Sequence, residues 1–227
     1  MFNKEKKQAI KVNTANRTEM LGSGDINSLL LHFSMPAIVG LLANASYNII
    51  NRIFVGHAVG EEAIAAIAII FPVMIIFMGI SMLVGIGATT LISIRLGQQK
   101  KHEAEVIMGN ALTLLFMLPF ASCIGLYMFI EPVLILIGAT ENILPYAVDF
   151  LKIFLPGMVI MSVSLGMNNV IRADGSPRIA MLTQILGGAV NVLFNYIFVM
   201  KLGWGVKGAA AGVVLGQVFS VIWVMSQ

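Results

Sequence analysis

The chain has 227 residues, of which 58% are hydrophobic and only 11% charged, and its mean hydropathy is +0.91. A soluble domain of this size has too little interior to bury so much apolar surface, so the composition predicts an integral membrane protein. With a net charge of +3 and Cys123 as the single cysteine, we expect no nucleic-acid binding, disulfide, cysteine metal cluster or redox centre.

The first 28 residues are polar and carry several lysines. This stretch is longer than the positive region of a signal peptide, and the apolar run after it has no small-residue cleavage site. We therefore predict an uncleaved cytoplasmic tail over residues 1–28, followed by a transmembrane lobe over residues 29–227.

Six later segments are long enough to cross a bilayer, which requires about 20 apolar residues in a helix. In chain order, the predicted spans cover about 29–55, 63–94, 106–130, 146–171, 179–199 and 208–227. The loops between them are short and leave no room for a soluble catalytic module. The sequence thus predicts an all-α integral membrane protein with six transmembrane helices.

Lysine and arginine are distributed unevenly between the two sides of these spans. Ten lie in the tail and in the loops after spans two and four, against four on the other side. The positive-inside rule then predicts a cytoplasmic amino terminus, and we expect a multi-pass protein of the plasma membrane.

The first span carries an unusual number of amide side chains. Asn44, Asn48 and Asn51 are spaced at i, i+4 and i+7, which places them on one helical face with Tyr47 beside it.

The fifth span repeats this pattern with Gln184, Gly188, Asn191 and Asn195, at spacings of 4, 3 and 4. Amides in a membrane need partners. The stripes therefore either form hydrogen bonds between packed helices, at about 0.6 to 2 kcal/mol each, or line a water-filled cavity. Periodicity leaves both interpretations open.

Small residues and prolines also mark the spans. Gly208, Gly212 and Gly216 form a GxxxGxxxG face on span six, which predicts close helix packing. Each of the first four spans contains a proline that can kink its helix, namely Pro36, Pro72, Pro119 and Pro156.

Residue sets for enzyme chemistry are missing from the sequence. The three histidines, His32, His57 and His102, are far apart, and we expect no metal site. The segment GIGATT, over residues 85–90, lacks the lysine of a phosphate-binding loop and lies within a span. The sequence predicts neither an enzyme nor a bound organic cofactor.

Two stretches carry a resemblance to a known family. The segment LLLHFSMPAIVGLLANASYNIINRIFVGHAVGEEAIAAIAIIFPV, over residues 29–73, resembles the opening of transporters of the multidrug and toxic compound extrusion (MATE) family. The segment NNVIRADGSPRIAMLTQILGGAVNVLFNYIFVMKLGWGVKGAAAGVVLGQ, over residues 168–217, resembles the turn between spans four and five of that family, with spans five and six after it.

This resemblance implies an antiporter that uses a sodium or proton gradient to export small organic, often cationic, drugs or metabolites. Members of the family usually have twelve spans in two six-helix lobes, and this chain corresponds to the amino-terminal lobe. The implied partners are the substrate, membrane lipid and a second lobe, which is either a missing carboxyl-terminal half or another copy. The coupling ion, sodium or a proton, is the only implied bound ion.

The resemblance also assigns positions to a cation or substrate pocket. Pro36 matches a proline at the bend of span one, Asn191 matches an amide in span five, and Asn51 and Asn195 fall where many members carry aspartate. The remaining pocket candidates from the polar stripes are Asn48, Tyr47 and Gln184.

Asparagine offers a neutral carbonyl oxygen where aspartate could titrate. Three explanations follow: another lobe holds the coupling carboxylate, the amides help to bind sodium, or coupling is weak.

Two alternatives stand beside the exporter. One is a flippase for lipid-linked substrates from the same superfamily, which is expected to need charged cavity residues. The other is a truncated, non-transporting membrane protein. Coding sequence beyond codon 227 distinguishes a transporter from the truncated protein, because six further spans would support a transporter.

Overall fold

The computed structural model describes residues 26–173 and 176–226, so most of the predicted tail lies outside the described residues. The described part is almost entirely helical. Its elements are α1 (Ile26–Ala58), α2 (Glu61–Gly97), α3 (Lys101–Met128), α4 (Ile130–Ile137), α5 (Leu144–Ala173), α6 (Pro177–Asn195), a π-helical segment (Tyr196–Lys201) and α7 (Gly205–Met225).

Within the described residues, six helices are long and apolar enough to cross a membrane: α1, α2, α3, α5, α6 with its π-helical extension, and α7. This confirms the predicted six-span, all-α fold. Large apolar side chains such as Leu83 and Leu136 are 75% and 86% exposed on the outside of the bundle, as expected for a surface that faces lipid.

Helix α5 is the centre of the bundle. It contacts α2, α3, α4, α6 and α7, whereas α1 packs chiefly on α6. In the most apolar part of each span, 61% of α5 is buried but only 11% of α1. The apolar core accordingly contains a row of buried α5 side chains, Leu151, Leu155 and Met158, against Ile70 of α2.

The third predicted span, 106–130, lies almost wholly in α3, which ends at Met128, and the short α4 begins at Ile130 after a break at Phe129. Pro132 stands in the first turn of α4, where its missing N–H costs no hydrogen bond within that helix.

The glycine face of α7 packs closely against α6, as predicted. A Cβ atom added at Gly212 would lie 2.7 Å from Nδ2 of Asn195, and one at Gly216 would lie 2.8 Å from both Cβ of Asn191 and the carbonyl oxygen of Gly187. Only glycine leaves room for the two backbones at this distance.

Pro36 is buried within a continuous α1. The bend assigned to this proline stays a prediction.

Contacts between helix ends identify the two ends of the bundle. At the predicted outer end, Lys207 of α7 forms an ion pair with Asp149 of α5 (Nζ to Oδ2, 3.2 Å). At the predicted cytoplasmic end, Arg95 of α2 forms an ion pair with Glu103 of α3 (Nε to Oε2, 3.2 Å). The orientation of these ends in a membrane stays a prediction.

Candidate ion site and polar cavity

Three asparagines from the two predicted polar stripes meet inside the bundle, and we call Asn51, Asn191 and Asn195 the asparagine cluster. Asn51 Nδ2 of α1 donates to Asn191 Oδ1 of α6 at 2.7 Å. Asn195 Nδ2 donates to the same oxygen at 3.3 Å and to the Asn191 carbonyl at 3.2 Å. Asn191 is only 3% exposed and Asn195 is fully buried. The cluster therefore joins α1 to α6 through one shared acceptor.

Two amide oxygens of the cluster have no hydrogen-bond partner among the described residues. They are Oδ1 of Asn51 and Oδ1 of Asn195, and both atoms are buried. Buried polar atoms are rarely left unpaired, and an unpaired acceptor is costly. Neutral oxygens in this state are suited to a bound cation or to the protons of a water molecule.

A small cavity of about 40 Å³ lies beside the cluster, enclosed by four helices, and we call it the polar cavity. Its volume exceeds the roughly 10 to 15 Å³ that one water molecule requires. It is lined mostly by polar and small residues: Asn44, Tyr47, Ser164, Leu165, Asn168, Thr183, Gln184, Gly187, Gly188, Asn191, Val213, Gly216, Gln217 and Ser220. None of these is charged, so the lining offers dipoles rather than full charges.

Glycines allow α1 to approach α6 along this cavity. A Cβ at Gly188 would lie 2.8 Å from the Tyr47 ring, and a Cβ at Gly40 would lie 2.7 Å from the side-chain amide of Gln184. Asn44 Nδ2 donates to the Tyr47 hydroxyl at 3.0 Å, which holds the ring in the cavity wall.

Gln184 connects the cavity to a charged residue at the end of α5. With its amide placed so that nitrogen faces an acceptor and oxygen faces a donor, Gln184 donates to the carbonyl of Gly40 at 2.8 Å. Its oxygen accepts from a guanidinium nitrogen of Arg172 at 2.7 Å. One side chain thus links α1, α5 and α6.

Three pocket candidates do not line the polar cavity: Asn51 and Asn195, which belong to the asparagine cluster, and Asn48. The Asn48 side chain is exposed, and its Nδ2 donates within α1 to the Asn44 carbonyl at 2.9 Å and to Asn44 Oδ1 at 3.0 Å. Tyr47, Gln184 and Asn191 do line the cavity.

The sequence reasoning missed the contribution of α5. Ser164 and Asn168 line the cavity, and Arg172 lies one more turn along the same helix. Their spacing of four residues is the signal that had identified the other two polar stripes. Thr183, Gln217 and Ser220 also line the cavity.

The described residues contain no group of three or more histidine, cysteine, aspartate or glutamate side chains that could hold a metal ion. The polar side chains that line the cavity carry amides and hydroxyls.

Comparison with known proteins gives consistent matches. A family model described as MatE matches residues 36–197. The chain is 28% identical to a FAD transporter of Shewanella oneidensis over 205 residues, which covers 90% of this chain and 45% of the relative. It is 25% identical to the multidrug export protein MepA of Staphylococcus aureus over 203 residues, covering 86% of this chain and 43% of that protein.

Solved structures agree with these matches. The outward-facing structure of a multidrug resistance MATE family transporter of the MOP superfamily has a TM-score of 0.83 and 27% identity, over 90% of this chain and 45% of that one. The chain spans about half the length of the curated relatives it matches.

Proposed function

Since the chain belongs to the MatE family, we propose that it forms the amino-terminal six-helix lobe of a cation-coupled antiporter that exports organic compounds, including cationic drugs or metabolites. The second lobe of this transporter is the remaining half of a longer protein or another copy of the chain. In this proposal the protein lies in the plasma membrane. Its amino terminus is in the cytoplasm, which is the orientation that the positive-inside rule predicts.

One observation carries the coupling part of this proposal. The asparagine cluster holds two unpartnered, buried amide oxygens, and its third member, Asn191, lines a cavity large enough for water. A cation that contacted both oxygens would draw α1 and α6 together, because Asn51 and Asn195 lie on different helices. Binding would thus favour one arrangement of the lobe over another.

The chemistry of the cluster favours sodium over a proton in this lobe. Asparagine does not titrate between pH 5 and 8, and no residue that lines the polar cavity is acidic or a histidine. A sodium ion needs only oxygen ligands, and the two unpartnered amide oxygens of the cluster would supply part of its coordination shell. Proton exchange would require a carboxylate elsewhere in the complete transporter.

The flippase alternative has less support from the cavity. A lipid-linked phosphate would be expected to need basic residues at its binding site, whereas the cavity lining is uncharged. Arg52, the basic residue next to the cluster in sequence, is exposed.

Export by the intact reading frame, expressed in cells that lack their own efflux pumps, tests the proposal. We expect the protein to lower the accumulation of cationic dyes, and collapse of the sodium gradient to abolish this effect. Surface labelling controls for correct insertion. Unchanged dye accumulation by a correctly inserted protein would contradict the proposed function.

Substitutions in the cluster test the coupling role separately. Asn51→Ala and Asn195→Ala should each lower sodium-dependent export without loss of insertion. Asn48→Ala is the matched control, because this exposed amide lies on the same helix outside the cavity. Unchanged sodium dependence in both cluster variants would leave the cluster as a packing contact only.

A further inference from the structure

We propose that the polar cavity is the route by which the ion at the asparagine cluster exchanges with the cytoplasm, and that Arg172 and Gln184 close this route. This inference rests on the proposed function, because it requires an ion at the cluster. It assigns a gating role to a charged residue that lies outside the cluster.

The position of the cavity supports a route toward the predicted cytoplasmic end. Asn191 of the cluster is part of the cavity wall, and the wall also includes Asn168, Thr183 and Ser220. Asn168 lies five residues before the end of α5, Thr183 six residues after the start of α6, and Ser220 five residues before the end of α7. The cavity therefore reaches to about 8 Å from these helix ends, at 1.5 Å per residue.

The walls of the cavity suit a partly hydrated cation. The Thr183 hydroxyl donates to the carbonyl of Ile179 at 2.9 Å, and the Ser220 hydroxyl donates to the carbonyl of Gly216 at 3.0 Å. Because each hydroxyl gives its proton to its own helix, its oxygen keeps free lone pairs. These oxygens can replace water ligands as an ion moves along the cavity.

The link between Arg172 and Gln184 lies at the cytoplasmic part of the cavity, because Arg172 is one residue before the end of α5 and Gln184 lines the cavity seven residues after the start of α6. Gln184 lines the cavity, accepts from Arg172 of α5 at 2.7 Å and donates to Gly40 of α1 at 2.8 Å. The link holds three helices together at one point, and a hydrogen bond to a charged group is stronger than a neutral one. The guanidinium charge also opposes the passage of a cation while the link is intact. Opening the route would require this link to break.

Accessibility of a cysteine in the cavity wall tests the closure. The full-length protein, with its native cysteines including Cys123 replaced by serine, would carry Ser164→Cys as a reporter. Ser164 lines the cavity nine residues before the end of α5, which places it deeper than Gln184, seven residues after the start of α6. Silver ion is the probe, since it is a monovalent cation of similar size to sodium that binds thiolate. Silver ion would be added to inside-out vesicles in chloride-free buffer. The protein would then be unfolded, and alkylation would measure the fraction of reporter thiol that silver had not bound.

We expect slow reaction of the reporter in the parent protein and at least about tenfold faster reaction with Arg172→Gln, which removes one charge-assisted hydrogen bond. Gln184→Met, which breaks the same link from the other side, should have a similar effect if Arg172→Gln does not accumulate in the membrane. Arg178→Gln is the matched control, because Arg178 is an exposed arginine just after the same loop, and it should leave the rate unchanged.

A second reporter, Ser162→Cys, separates opening of the route from general loosening. Ser162 is fully buried in α5, its hydroxyl donates to the Met158 carbonyl, and it does not line the cavity. It should stay unreactive in every variant.

Equal rates for the parent and the Arg172→Gln protein would overturn the closure, as would an equal effect of Arg178→Gln. An unreactive Ser164→Cys in all variants, or equal reactivity of Ser162→Cys, would overturn the route. None of these rates depends on export, so a protein that exports nothing but shows the expected rates would refute the proposed function alone.

Discussion

The hydrogen bond between Asn51 and Asn191 gives the sharpest test of the site. It is short at 2.7 Å, half-buried, and joins α1 to α6 across the candidate ion site. Hydrogen bonds between membrane helices contribute about 0.6 to 2 kcal/mol. We therefore expect a coupling free energy of about 1 kcal/mol between the two side chains, or roughly fivefold in the unfolding constant.

A double-mutant cycle with Asn51→Ala and Asn191→Ala measures this coupling. The free energy of unfolding of the full-length protein in detergent micelles would be determined for the parent, both single variants and the double variant. The control cycle pairs Asn48→Ala with Asn191→Ala, because Asn48 bonds only within α1. That cycle should give a coupling near zero.

The free energy of unfolding, measured with and without sodium, tests ion binding at the same site. A ligand that binds only the folded state at ten times its dissociation constant stabilises that state by about 1.4 kcal/mol. The parent should therefore gain this stability when sodium replaces a large organic cation, and Asn51→Ala should lose most of the gain. A coupling as small as in the control cycle, with an unchanged sodium response in Asn51→Ala, would refute both the link and the ion site.

Three further predictions follow from the same geometry. Gly216→Ala should destabilise the protein by about 1 to 3 kcal/mol, because its Cβ would meet the backbone of α6 at 2.8 Å. The control is Gly79→Ala, which should change stability little, because a Cβ there has nothing within 4 Å. Equal thermal unfolding temperatures for the two variants would contradict the prediction. Asn195→Ala should reduce the stability that the protein gains from sodium, and this reduction should be the same at pH 6 and pH 8, because amides do not titrate in this range. A reduction that depends on pH would indicate a carboxylate at the site. Asp149→Asn should cost no more than about 1 kcal/mol in thermal unfolding, because its ion pair with Lys207 is partly exposed, and a larger loss would mean that this pair fastens α5 to α7.

The sequence determined the number of spans and the helical faces of the asparagine cluster. Long apolar runs require helices because a bilayer leaves no other partner for backbone polar groups, and this is why six spans could be read directly. The spacing of Asn51, Asn191 and Asn195 placed these residues on the correct helical faces. The glycines of α7 predicted close packing for the same local reason.

Tertiary structure decided which polar groups meet. Periodicity gives the face of a helix but not the helix that it faces, so it could not separate Asn48, which is exposed, from Asn51, which reaches α6. The sequence reasoning also left out Asn168 and Arg172, although they share a stripe of α5, because their role depends on α5 being the central helix. The link from Arg172 through Gln184 to Gly40 joins residues more than 130 positions apart, and only packing of the three helices brings them within hydrogen-bonding distance.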